Sequence, residues 1–362
     1  MALVSSFNSM TEKFWSSKKI VDVVTKGDPI LTELFKRAKP GGGKKLIFDI
    51  EYNLQDGGAR ALTGQMAATT PEIITQGEMD WRDYYIWCQM EKAYVLQNKN
   101  DPHAIASYFD TRVSNAVKSM KERLLAPAAL TAQTGQNWDS LIDACSDSAT
   151  YANIAIADLA AWRAMIGEPT YANGATTGIS PDLAVPRKML RLMQTYTREL
   201  PHVILATPDL YDKWGEQISA NDQVSAKRSG DNVAWGFAEY SIAGVPVVTS
   251  PNFNRAGAFD GTQNPASRAA CKGDKALFIN WNYIDLMYLP EWFMKWDDEG
   301  WRSPIDYTQY INQLHCATNI VCRSRRHQGA LFGVDVGQAT SAWTNITDAQ
   351  VNLTHFAIPA SA

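Results

Sequence analysis

Strict alternation marks the early part of the chain. Leu46, Phe48, Ile50, Tyr52 and Leu54 alternate with Ile47, Asp49, Glu51 and Asn53, the period of a half-buried strand. A polar stretch follows, from Gln55-Asp56-Gly57-Gly58 through Gly64 to Thr69-Thr70-Pro71. The chain then returns through residues 73–75 into the aromatic run Trp81, Tyr84, Tyr85 and Trp87. This pattern predicts a long two-stranded loop within residues 46–100. Asp101-Pro102 then offers an N-cap with proline at the first helical position. Ile105, Tyr108, Val113, Val117, Met120 and Leu124 keep an apolar stripe until Pro127, so one long helix is predicted over 102–125, about 36 Å by helical rise. A two-stranded arm cannot bury its own faces and needs a second surface to lie on.

The rest of the chain changes texture three times. Residues 1–40 read as a short helical arm anchored by Phe14, Trp15, Ile20, Val21, Val24, Ile30, Leu31, Leu34 and Phe35. Lys39-Pro40-Gly41-Gly42-Gly43 ends that arm. Residues 126–185 are Ala-rich and read as irregular structure with short helices. From Pro186 the pattern is a helix over 186–200 and an apolar strand over 202–206. A second helix is opened by Thr207-Pro208-Asp209, and a strand-turn-strand unit forms around Ala243-Gly244. That succession makes a separate α/β subdomain of ordinary size. Residues 275–334 read as antiparallel β structure, and residues 335–362 as a polar tail with Trp343, Val351 and Phe356 as its apolar anchors.

Composition narrows the function classes. With 362 residues, 45% hydrophobic and 20% charged, the chain is a packed protein and not a disordered one. A net charge of −4 excludes a generic nucleic-acid binder. The charge is uneven: nine Lys/Arg against four acids give residues 1–45 a balance of +5, leaving −9 for the remainder. A basic arm on an acidic body suits contact with an acidic partner or a polyanion, and equally a solvated amphipathic helix. Cys88, Cys145, Cys271, Cys316 and Cys322 follow no regular spacing, so free thiols in a reducing cytoplasm are expected. Neither a secretory signal nor an apolar run of bilayer length is evident.

Candidate chemistry is sparse. Lys39–Lys45 looks like a phosphate loop but lacks the first glycine, has Lys45 where Ser or Thr is needed, and precedes a strand. His315, Cys316, Cys322 and His327 match no zinc spacing, and buried structural residues are the better reading. Asp49 and Glu51 share a strand face and read as solvated acids or as acids meeting cations across an interface, while Asp297-Asp298-Glu299 reads as an ordinary polar turn. Trp281, Trp292, Trp296 and Trp301 offer stacking surfaces for bases or sugars, though packing is the commoner role. The expectation is a non-enzyme with no cofactor and no metal site.

The order of elements carries a resemblance. A basic arm, an extended loop, a long helix, an α/β subdomain and a β return resemble the major capsid protein of tailed bacteriophages. Trp81-Arg82-Asp83-Tyr84-Tyr85 resembles the end of that family's extension loop. Val203-Ile204-Leu205-Ala206-Thr207-Pro208-Asp209-Leu210-Tyr211 resembles its axial strand and helix, and Ala243-Gly244-Val245-Pro246-Val247-Val248 its later hairpin. The resemblance implies an α+β capsid fold. Its parts would be an N-terminal arm (1–45), an extension loop (46–100), a peripheral domain (101–185) with a spine helix (102–125), an axial domain (186–274), a peripheral β return (275–334) and a tail (335–362).

It further implies a protein that assembles as pentamers and hexamers into an icosahedral shell around double-stranded DNA. Such a protein is made in host cytoplasm and resides in the virion, away from membranes. Portal, scaffolding and decoration proteins are the implied partners. The extension loop would reach a neighbour through Phe48, Ile50, Tyr52, Arg60, Trp81, Tyr85 and Trp87. Lys18, Lys19, Lys36, Arg37, Lys44 and Lys45 would face the genome or a neighbour. Residues 46–91 hold no lysine, so isopeptide welding through this loop is not expected. The alternatives are an encapsulin-like nanocompartment shell, a mostly-β tail-tube or adaptor protein, and, last, a cytosolic α/β enzyme.

Overall fold

A computed structural model of the chain describes residues 29–51, 73–97, 102–124, 137–146, 150–155, 159, 162–167, 179, 181–221, 240–250, 253, 273–298, 300–303 and 308–334. Lys18, Lys19, Tyr52, Arg60, Cys271, Glu299 and the tail 335–362 lie outside the described residues.

In chain order the first half contains α1 (Pro29–Lys36), β1 (Ala38–Pro40), β2 (Leu46–Glu51), β3 (Ile74–Met79), β4 (Arg82–Glu91), α2 (Lys92–Gln97), α3 (Pro102–Leu124), α4 (Leu141–Ala144), β5 (Thr150–Tyr151), β6 (Ile154–Ala155) and β7 (Met165–Gly167). The second half contains α5 (Ala184–Thr197), β8 (Val203–Ala206), α6 (Pro208–Asn221), β9 (Ser241–Ile242), β10 (Val245–Thr249), β11 (Asp274–Ile279), β12 (Ile284–Trp296), β13 (Gln309–Cys322) and β14 (Gly329–Val334). These elements fall into two compact units. One comprises Met1–Lys44, Asp80–Asp139 and Asp285–Ile320, the other Lys45–Met79, Ser140–Ile284 and Val321–Ala362.

The first unit is built on a sheet in the order β1-β12-β13-β4. Along β4 the side chains alternate strictly. Ile86, Cys88 and Met90 are buried while Asp83, Tyr85, Trp87 and Gln89 are exposed. Helix α3, about 35 Å long by helical rise, packs along β4. Its buried Phe109, Val113, Val117, Met120 and Leu124 keep the three-to-four spacing of one helical face. Trp301 meets Phe109 edge-on at 5.6 Å and the half-buried Trp296 at 6.5 Å, so the Trp301 indole packs the unit's interior, as large aromatic rings commonly do. Ile30, Leu31, Leu34 and Phe35 of α1 are buried, with the Phe35 ring 5.7 Å from that of Phe293.

Two features here differ from the expected pattern. The stretch before Gly41 is a strand as well as a break: β1 pairs parallel with β12, and Gly41 N–H continues the ladder to the Tyr288 carbonyl at 2.8 Å. The aromatic run 81–87 is not the return strand of the hairpin. It runs on through β4, which pairs antiparallel with β13 from Gln309 opposite Glu91 to Thr318 opposite Arg82.

The second unit holds a six-stranded mixed sheet in the order β7-β14-β11-β8-β10-β9. Every residue of β8, β11 and β14 is buried, as the continuous apolar runs of a sheet covered on both faces require. Met189, Leu190 and Met193 of α5 and Leu210 and Trp214 of α6 pack with Ile204, Ala206, Val247, Phe278 and Leu331 in one core cluster. The helix read at 186–200 spans 184–197 and stops at Arg198, whose φ of 61° caps it in the left-handed region. Ala243 (φ 51°) and Gly244 (φ 85°) form a two-residue turn between β9 and β10, with positive φ at both positions as a type I′ hairpin needs. Strands β11 and β14, read as part of the β return of residues 275–334, hydrogen-bond into the sheet of β8.

The same unit contains the hairpin β2–β3, in register from Leu46 opposite Met79 to Glu51 opposite Ile74. The Phe48 ring lies over its cross-strand partner Gly77, where an added Cβ would sit 2.8 Å from Phe48 Cζ. Gly77→Ala should therefore push the ring off its seat and lower stability by about 1–3 kcal/mol, read as a drop in the thermal midpoint. An unchanged midpoint would show that the ring moves freely.

A buried cation holds the region after α4. Arg325, 0% exposed, donates to the carbonyls of Asp143 and Ser146, with longer contacts to those of Ala144 and Trp162, and its guanidinium lies 5.0 Å above the Tyr151 ring. The Ser140 hydroxyl and the Asp143 carboxylate close a capping box at the other end of α4.

Candidate assembly surfaces

The hairpin presents two faces of different character. Phe48 and Ile50, expected to meet a neighbour, share a face with Leu46, and Leu46 and Ile50 are buried within the chain's own unit. The outer face carries Ile47, 59% exposed, and Ile74, 61% exposed, together with Asp49 and Glu51. Alternation separates two faces without saying which one turns inward, and here the face of Leu46 and Ile50 is the inner one. Asp49 accepts from the Gln76 amide at 3.1 Å, and Lys45 pairs with Glu78 at 2.8 Å, so polar pairs frame the two isoleucines.

On the first unit, the outward face of β4 carries Tyr85 and Trp87, 49% and 50% exposed, with rings edge to face at 6.3 Å. Beside them is a groove of about 510 Å³ lined by Tyr85, Ile86, Trp87, Lys118, Ser119 and Arg123. Three consecutive residues of β4, which ends the sheet order, line it, so the groove follows the strand edge beside α3. Lys118 and Arg123 give it positive charge. These two were not singled out from sequence; only their spacing on the polar side of α3, away from Val117 and Met120, marks them.

The remaining predicted site residues have internal work. Trp81 donates its indole N–H to the Gly43 carbonyl at 3.0 Å. Its ring lies over Gly41, where an added Cβ would approach Trp81 Cη2 to 2.8 Å. Trp81 thus fastens the chain as it leaves β1. Lys36 pairs with Glu33 at 3.2 Å on its own helix, Lys44 is exposed, and Arg37 is half-buried. Lys39 reaches the buried Asp285 at 2.9 Å.

The sparse chemistry read from the sequence has structural explanations. Cys316 and Cys322 are fully buried, and burial pushes the Cys316 thiol up to about 12. His315 contacts Asp83 at 3.1 Å and His327 contacts Ser324 at 2.8 Å, so the two histidines serve separate partners. Among the described residues no group of three or more His, Cys, Asp or Glu converges on a metal position. Asp297 of the acidic turn is bonded to the Arg302 guanidinium at 2.5 Å. Among the described residues no helix is long and apolar enough to cross a membrane.

No protein-family model and no curated protein matches the chain. Solved structures do. The capsid asymmetric unit of cyanophage A-1(L) matches with a TM-score of 0.57 and 16% identity over 84% of this chain and 92% of that one. A structure of Mycobacterium phage Adephagia matches with a TM-score of 0.50 and 11% identity over 87% and 92%. An encapsulin complex from Synechococcus elongatus gives 0.46 and 12% over 86% and 88%. At such identities the likeness is one of fold, and that fold is the one shared by the major capsid proteins of tailed phages.

Proposed function

We propose that this chain is a major capsid protein, assembling as pentamers and hexamers into the icosahedral shell of a tailed phage around double-stranded DNA. The observation that carries the reading is the likeness to the cyanophage capsid subunit, which spans 92% of that chain. In this reading the hairpin is the extension loop and its outer face, Ile47 and Ile74, docks on an adjacent copy. The groove of Tyr85, Trp87, Lys118 and Arg123 is the receiving surface, because Asp49 and Glu51 flank the isoleucines and complement its two cations. Helix α3 serves as the spine, and the six-stranded sheet with α5 and α6 as the axial domain.

Lys18, Lys19, Lys36, Arg37, Lys44 and Lys45 meet phosphates or a neighbour. The exposed pairs Lys36–Glu33 and Lys45–Glu78 contribute about 0–1 kcal/mol each, so exchanging them for a polyanion costs little. Portal, scaffolding and decoration proteins are the expected partners, and the virion the expected location.

Electron microscopy of the purified protein, alone and co-expressed with its genomic neighbours, tests the reading. Closed shells, or rings of five and six, are expected. A single small species under every condition would overturn it. Nuclease-protected DNA inside the shells would support genome enclosure. Shells holding only protein would favour an encapsulin-like compartment.

A further inference from the structure

Of the four tryptophans that offered stacking surfaces, Trp281 and Trp301 are buried and Trp296 is half-buried. Trp292 alone of the four is exposed, at 49%. It belongs to β12, and its indole is propped by the His315 ring of β13 at 4.7 Å between centroids. His315 is in turn held through Nδ1 by the Asp83 carboxylate of β4 at 3.1 Å. An exposed aromatic face supported by a fixed second ring is a platform held in place before any ligand arrives.

The surroundings of that platform are polar and ordered. Trp292 and His315 line a cleft of about 330 Å³ together with Glu291, Asp298, Arg302 and Gln313, at the small end of the range for small-molecule sites. Arg302 is anchored by Asp297, whose backbone N–H donates to the Gln313 carbonyl at 2.9 Å. The turn and β13 are thereby tied together. Met294, two residues beyond Trp292 and 1% exposed, has φ +51°. A buried non-glycine residue in the left-handed region costs energy, and such strain gathers where a strand must re-aim its side chains.

We infer that this cleft holds one or two rings of a neutral oligosaccharide, with Trp292 stacking on the sugar's C–H face and Glu291, Asp298, Gln313 and Arg302 meeting its hydroxyls. Sugar hydroxyls both donate and accept, and this set supplies carboxylate acceptors, guanidinium donors and an amide able to do either. Nucleic acid is disfavoured. Glu291, Asp297 and Asp298 outnumber Lys295 and Arg302, so the lining repels phosphates. The inference stands apart from the shell reading, since it uses none of the hairpin or groove residues.

Titration of the full chain with maltotriose and with triacetylchitotriose, followed by saturation-transfer NMR, tests it. Saturable binding near 1 mM is expected for at least one trisaccharide, as suits a small open site. Trp292→Ala should weaken it roughly tenfold or more, the scale of one lost stacking partner, with an unchanged thermal midpoint. Trp292→Phe should keep part of the affinity. Absence of saturable binding to both sugars, equal binding by Trp292→Ala, or binding of a polyproline peptide in their place would overturn the assignment.

Discussion

Replacing Arg325 with alanine is expected to cost the protein most of its stability. Its guanidinium is fully buried, and its bonds run to backbone carbonyls at and just beyond the C-terminal end of α4 and at Trp162. Those carbonyls have no water to turn to, and the end of a helix carries partial negative charge that a cation relieves. Burial pulls the arginine's pKa down from its ordinary value, yet its carbonyl acceptors and the Tyr151 face favour the charged form. Removing the side chain would leave both a cavity and orphaned acceptors, each a penalty of about 1–3 kcal/mol, for a total of about 2–6 kcal/mol. Soluble yield should collapse, or the thermal midpoint fall by on the order of 10 °C. Arg325→Lys should recover only part of the loss, since an ammonium cannot span the same carbonyls. A midpoint within a degree or two of the parent would refute this account.

Putting charges on the outer face of the hairpin should have the opposite profile, leaving folding intact and abolishing assembly. Ile47 and Ile74 are each about three-fifths exposed, so Ile47→Asp with Ile74→Asp should change folding stability by no more than about 0.5 kcal/mol per site. If these side chains dock on a neighbour, each buried isoleucine contributes about 1.5–3 kcal/mol to a contact that recurs at every subunit. A closed shell multiplies that loss, because the contacts act together. Sedimentation velocity should show the shell peak replaced by free subunits or capsomers, while circular dichroism and the melting curve stay those of the parent. Shells at parental yield would show that this face does not carry the interface. The contrast with Phe48 is informative, since Phe48 packs on Gly77 inside its own unit and its loss should act on folding first.

Much of the architecture was legible in the residues because it rests on local rules. The stripe Val113, Val117, Met120, Leu124 behind Asp101-Pro102 yields a helix wherever it is placed, and α3 runs from Pro102 to Leu124. The run His202–Ala206 followed by Thr207-Pro208 reads as strand, cap and helix, and β8 and α6 follow it. Ala243-Gly244 between two apolar runs reads as a hairpin turn, and its backbone has the expected positive φ angles. What escaped notice depends on partners remote in sequence. Ala38–Pro40 is a strand only because Leu286–Tyr288 lies beside it. The aromatic run at 81–87 belongs to a different sheet from the hairpin it follows, because β13, more than two hundred residues later, is its pairing partner.

The same division applies to the candidate surfaces. From the sequence alone come the hairpin's two-faced character, the long helix with its polar side, the basic balance of residues 1–45, and the poverty of catalytic and metal-binding patterns. These are properties of composition and period, set by neighbours a few positions away. Tertiary structure alone decided which hairpin face turns inward. It also drew Trp81 onto Gly41 and Gly43, buried Arg325 among carbonyls, and brought Trp292, His315 and Asp83 together across three strands. Each of those outcomes depends on long-range register. A one-residue shift in pairing exchanges the two faces of a strand, and no local pattern of apolar and polar residues can choose between them.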